Sequence, residues 1–168
     1  MAGRIDDRLK ELGIALPKIQ MPWANYVSVV VSGSLVYLSG QLPALDRLLI
    51  KGKLGAELTV EDGRKAARIC ALNMLPHLRE ACGGDLDRVV RCVEIGGFVN
   101  STPEFTERPL VLNGASEFLV DIFGEAGRHT RFAVGVASLP FNFAVEVKGI
   151  FEIHYSCPSC PKADNDRI

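Results

Sequence analysis

The sequence predicts a single α+β domain, a mixed β-sheet with two helices packed on one face. Three observations carry that expectation. Strand-like runs lie near both ends, at 26–39 and 131–153; two segments with helical spacing of apolar residues, at about 60–82 and 101–123, lie between them; and a further apolar β segment, 86–99, separates the helices. With 168 residues, 48% of them hydrophobic, the chain is long enough to bury a substantial core in one domain and short for two. That domain is expected to occupy residues 1–155. The polar segment 156–168, with two prolines, reads as a disordered tail.

Each element has a local reason. Ile5, Leu9 and Leu12 share one helical face, so residues 4–12 are expected to form a short amphipathic helix appended to the body. From 26 to 39, β-branched and aromatic residues interrupted by Ser32-Gly33-Ser34 read as a hairpin closed by a glycine turn. Residues 44–58 read as a loop in which Leu48-Leu49-Ile50 adds a short edge strand. Thr59-Val60-Glu61-Asp62 has the spacing of a helix cap, and Ala66, Ile69, Cys70, Leu72, Leu75 and Leu78 then mark a buried stripe, closed by Gly83-Gly84. Pro76 inside this helix removes one backbone hydrogen bond and is expected to kink it. In 86–99, Gly96-Gly97 suggests a bulge or a close backbone approach. Ser101-Thr102-Pro103-Glu104 is a second helix-start signal, with Pro109 placed to divide the helix that follows. The last block, 131–153, reads as a hairpin turning near Phe141.

That last block carries the residues most in need of explanation. Arg131 and Glu146 sit in segments otherwise apolar or small, and a charge buried without a partner is costly, so each is exposed, ion-paired or functional. Alternation places Arg131, Ala133, Gly135 and Ala137 on one face, with Phe132, Val134 and Val136 on the other. Small neighbours leave room for a ligand beside the arginine.

Composition narrows the function classes. Nineteen basic against twenty acidic residues give no polyanion-binding signature, so nucleic acid is not an expected partner. The charged start of the chain lacks the apolar centre of a signal peptide, and no apolar run approaches membrane-spanning length; a cytoplasmic protein is the default expectation. Cys70, Cys82 and Cys92 lie in apolar contexts and read as small core residues. Cys157 and Cys160 form Cys-Pro-Ser-Cys, which supplies only two of the four ligands of a structural zinc, so no metal is expected.

Ser39-Gly40-Gln41-Leu42-Pro43 after the first hairpin, the Ala-rich helix ending at Gly83-Gly84, Asn113 in the next helix, and the Arg131-to-Glu146 spacing occur in an order that resembles the Rid family, the reactive-intermediate deaminases, also called YjgF-like or endoribonuclease L-PSP proteins. The resemblance implies a chorismate-mutase-like fold and a homotrimer with clefts between subunits. It also implies hydrolysis of 2-imino acids, such as 2-aminoacrylate or 2-iminobutanoate, to 2-oxo acids and ammonia, with no cofactor. Arg131 would hold the substrate carboxylate with its planar fork, and Glu146 would orient the attacking water. Tyr26, Gly40 and Asn113 match other pocket positions. Ala133 stands where many members carry cysteine; its backbone would serve, whereas thiol-dependent behaviour is excluded. His129, in a loop beside two arginines, is expected to face solvent. The alternatives are a small-carboxylate-binding or regulatory protein without turnover, and the ribonuclease or translation-inhibitor activity of the older family name. If the last block is a hairpin, Glu146 pairs near Ala137, six residues or roughly 20 Å from Arg131, and one small substrate reaches both only across two subunits.

Overall fold

The computed structural model describes residues 3–19 and 24–154. The expected tail, with Cys157 and Cys160, lies outside them. In chain order the elements are α1 (Arg4–Glu11), β1 (Val29–Ser32), β2 (Leu35–Gln41), β3 (Ala44–Leu45), β4 (Leu48–Leu49), α2 (Val60–Ala81), β5 (Val89–Asn100), α3 (Arg108–Phe123), β6 (Thr130–Val136) and β7 (Val145–Ile153). Five strands form one sheet in the order β1-β2-β7-β5-β6, and β3 and β4 form a separate two-stranded ribbon. Helices α2 and α3 pack on one face, as the apolar periodicity requires. Among the described residues, no helix is long and apolar enough to cross a membrane.

Local signals act where they were expected. Thr59 and Asp62 form a reciprocal capping box at the start of α2, and Gly83 and Gly84 end it at φ +67° and +95°, a backbone region that side chains disfavour. Assigned helix is continuous across the buried Pro76. Ile5 and Leu9 of α1 are buried, and Asp87 accepts the Arg4 and Ile5 backbone N–H groups, tying that helix to the body. The glycines of β5 mark a close approach rather than a bulge. A side chain at Gly96 would strike Phe132, one at Gly97 would strike Leu112, and the register shifts fall earlier, between Val89 and Glu94. Cys70, Cys82 and Cys92 are buried. Burial pushes the Cys82 thiol up to about 11 and that of Cys92 up to about 12, so both are protonated packing residues at neutral pH.

Two expectations are corrected. The helix anticipated from Ser101 begins at Arg108 instead, and Pro109 sits in its first turn, where a missing N–H costs nothing, rather than dividing it. Residues before it are held as a turn: Thr102 N–H donates to the Leu54 carbonyl and Phe105 N–H to that of Thr102. The second correction concerns the expected final hairpin. Strand β6 pairs in parallel with β5, at the sheet edge, while β7 lies antiparallel between β2 and β5. The connection crosses the end of β5 because buried Asn100 holds it there. Its side-chain amide donates to the carbonyls of Gly52 and Phe143 and to Asn142 Oδ1, and Lys53 Nζ bridges Asn100 Oδ1 and the Ala137 carbonyl, both at 2.7 Å. Phe141 and Asn142 adopt positive φ to make the crossing.

Candidate active site

The expected face alternation of β6 holds. A side chain at Gly135 would strike Arg108 of α3, which places Arg131, Ala133 and Gly135 toward the helices; Phe132 meets Phe98 edge-on at 5.6 Å on the other face. Arg131 Nη1 donates to Asn113 Oδ1 at 2.9 Å and to Ser116 Oγ at 3.0 Å. Asn113 and Ser116 are three residues apart on α3, hence neighbours on one helix face. Nε and Nη2 of this exposed arginine have no hydrogen-bond partner among the described residues. The guanidinium is therefore fixed at one nitrogen while a second edge stays open to a planar anion. Half-buried Ala133 lies two residues along the same face, opposite Gly97.

His129 is not solvent-facing. Its ring is half-buried, with Nδ1 2.6 Å from the Gly127 carbonyl and Nε2 3.0 Å from Ser116 Oγ. A carbonyl only accepts, so Nδ1 carries the proton and Nε2 of the neutral ring accepts from Ser116. Burial lowers the pKa of this histidine from the usual value; the Gly127 carbonyl opposes the shift and the Arg131 charge adds to it. Ser116 as a partner of Arg131, and His129 as the partner of Ser116, escaped the sequence reading. The available signal was the Asn113/Ser116 spacing on the helix face turned toward the arginine strand.

Glu146 belongs to a different place. In β7, Val145, Val147, Gly149 and Phe151 are buried under the helices, and Glu146, Lys148 and Ile150 alternate onto the helix-free face. There the Glu146 side chain fills the space over Gly40 that a Cβ at that position would take, which is the steric reason for the glycine. Burial raises the carboxyl pKa above the ordinary glutamate value. Beside it, Val27, Val30, Tyr37, Ser39, Gly40 and Lys148 line a groove of about 260 Å³. Tyr26, 51% exposed, immediately precedes the groove residue Val27.

The residues singled out in the sequence thus fall into two groups, Arg131, Asn113 and Ala133 on the helix side of the edge strand, and Glu146 with Gly40 on the open face, while Tyr26 stands exposed in the segment before β1 and, among the described residues, is joined to neither group by a hydrogen bond. Corrected pairing replaces the hairpin distance. Glu146 aligns with Phe98 and Phe98 with Val134, three residues beyond Arg131. At about 3.3 Å per residue and 4.8 Å per strand, the two Cα atoms lie roughly 14 Å apart, with side chains on opposite faces. One small substrate does not span them within one chain.

A family model described as "YjgF/chorismate mutase-like, putative endoribonuclease" matches residues 6–153. Protein TCP17 of Trypanosoma cruzi is 50% identical over 155 residues, covering 91% of this chain and 96% of that protein. Among solved structures, the Agrobacterium tumefaciens protein Atu1372, of unknown function, superposes with a TM-score of 0.82 at 46% identity, covering 89% of this chain and 94% of its own. A Shewanella oneidensis structure carrying the same endoribonuclease description superposes at 0.85 with 36% identity, covering 90% and 100%. With the five-stranded sheet, its two helices and a family match over most of the chain, the protein belongs to the YjgF/Rid-like family of chorismate-mutase-like fold.

Proposed function

We propose that the protein is a Rid-type deaminase that hydrolyses reactive 2-imino acids, of the 2-aminoacrylate or 2-iminobutanoate type, to 2-oxo acids and ammonia. The observation that carries this reading is the arginine clamp: α3 anchors Arg131 through one nitrogen and leaves the Nε/Nη2 edge open for a carboxylate. A substrate held there by both oxygens has its imine carbon fixed in position. Glu146, whose burial raises its pKa above the ordinary glutamate value and so makes it a stronger base, suits proton transfer. It accepts a proton from water as the oxygen bonds to the imine carbon, and passes that proton to the nitrogen. The hydroxyl proton of the tetrahedral intermediate then passes through the same carboxylate to the amine nitrogen, so that the C=O bond forms, the C–N bond breaks, and the nitrogen leaves as ammonia. An enamine enters the same sequence after protonation at carbon. His129 gives the family's ribonuclease description little support, because both its ring nitrogens are engaged by protein atoms.

The site is assembled between subunits of a homotrimer. Its two halves lie on opposite faces of one sheet, and each needs the other from a neighbouring chain. The helix-free face supports this reading: Val30, Tyr37 and Val134 are 51%, 42% and 42% exposed, beside half-buried Phe98, Phe132 and Ile150. Such an apolar surface suits burial against a partner.

In assays with 2-aminoacrylate generated in situ by a dehydratase, the protein is expected to accelerate 2-oxo acid release. Binding of a 2-oxo acid without any acceleration would favour a carboxylate-binding role instead. A second expectation concerns assembly. When inactive Arg131→Ala and Glu146→Ala subunits are unfolded and reassembled together in equal amounts, about a quarter of the sites regain both groups. Activity should recover to that order, and verified mixed oligomers without activity would refute the shared site.

A further inference from the structure

We propose that His129 is a positioning residue for Arg131, acting through the Ser116 hydroxyl to hold the guanidinium with its open edge toward the ligand. The inference rests on the reading of Arg131 as the carboxylate clamp and adds a residue pair that sets how well the clamp works.

The hydrogen bonds run in one consistent direction. Gly127 O accepts from His129 Nδ1, His129 Nε2 accepts from Ser116, and Ser116 Oγ accepts from Arg131 Nη1. A serine hydroxyl within a helix otherwise rotates freely or bonds back to the carbonyl four residues earlier. Taking its proton at Nε2 leaves the oxygen lone pairs directed at the guanidinium. Asn113 then contributes the second acceptor on the same nitrogen. With Nη1 engaged twice, rotation of the guanidinium is restricted and Nε and Nη2 face outward as a pair. Ligand binding then costs less side-chain entropy than it would with a free arginine.

The charged surroundings favour a neutral ring. Arg131 lies two residues along the chain, in β6. In the preceding turn Glu125 is paired with Arg128, on α3 Glu117 is paired with Arg64, and on β5 Glu94 lies 3.8 Å from Lys148. No carboxylate among the described residues hydrogen-bonds the imidazole. A protonated ring would place a second donor against Ser116 Oγ and remove the acceptor for its proton.

The test is calorimetric binding of 2-oxobutanoate to the assembled protein. Ser116→Ala and His129→Ala are each expected to weaken binding about five- to tenfold, the scale of one hydrogen bond, and the double variant should be no weaker than either single one. His129→Gln, which places an amide oxygen near the Nε2 position, should restore most of the affinity, a rescue that a merely structural role does not predict. Unchanged affinity in His129→Ala, or strictly additive losses, would overturn the proposal. Arg131→Ala separates the two levels: if binding survives that change, the clamp itself is wrong, whereas loss in Arg131→Ala with none in His129→Ala removes only the positioning role. Nitrogen-15 spectra of the histidine ring in the unaltered protein give an answer independent of variant folding. They should show the neutral Nδ1–H form at pH 7, and the Nε2–H form would overturn the relay.

Discussion

Arg131→Ala is expected to lower kcat/KM for 2-imino acid hydrolysis by about 2–4 kcal/mol, or roughly 30- to 1,000-fold, with little change in thermal stability. The loss is large because the guanidinium supplies both charge and a planar pair of donors that a water molecule does not replace. Stability is spared because the side chain is exposed and its two partners, Asn113 Oδ1 and Ser116 Oγ, are neutral acceptors near the surface that regain hydrogen bonds from water. Arg131→Lys should also be impaired, since an ammonium keeps the charge without the fork. Steady-state kinetics beside a melting curve checks both halves of the expectation. Wild-type turnover in a folded Arg131→Ala protein would dispose of the proposed clamp.

Gly114→Ala should act the other way, on the fold first and the site second. Gly114 lies between Asn113 and Ala115 on α3, where a Cβ would land on the backbone carbonyl of Arg64 in α2. A flexible side chain could swing aside, but a helix backbone moves only as a unit. The cost should reach the upper end of overpacking, about 3 kcal/mol, despite the helix propensity that alanine adds. For a chain of this size that corresponds to a melting temperature lower by roughly 6–12 °C. Because Asn113 and Ser116 flank the collision, 2-oxo acid affinity should fall as well. Gly33→Ala provides the contrast: nothing lies within 4 Å of its added Cβ, and only the strained φ of +60° opposes it. That change should cost about 1 kcal/mol and leave binding alone. Equal melting temperatures for the Gly114 and Gly33 variants would show that α2 and α3 are not packed as closely as this contact implies.

Legibility in the sequence followed the range of the physics. The capping box at Thr59, the glycine stop at Gly83-Gly84 and the buried stripe of α2 depend on residues within a few positions of one another. The alternation that turns Arg131 toward the helices and Phe132 away is equally local, since it follows from strand geometry alone. Glycines 96 and 97 announced a close approach without revealing that Phe132 and Leu112 would make it. Pro109 was visible as a helix punctuator, yet the choice between dividing α3 and opening it depended on how 101–107 docks against Leu54.

By itself, then, the sequence determined the elements, their exposed and buried faces, and the presence of an arginine and a glutamate that apolar packing does not explain. Tertiary structure decided which strands pair, and with that where the chemistry sits. Neighbouring strands joined by a short connection pair by default, but Asn100, fully buried some forty residues from the segment it holds, and Lys53 carry the chain across β5. That contact places Arg131 on the sheet edge and Glu146 on the opposite face two strands away. It is absent from any local pattern because its free energy arises only when distant polar groups are buried together and must satisfy one another. The same reason hid His129, whose bond to Ser116 exists only once α3 is docked on β6.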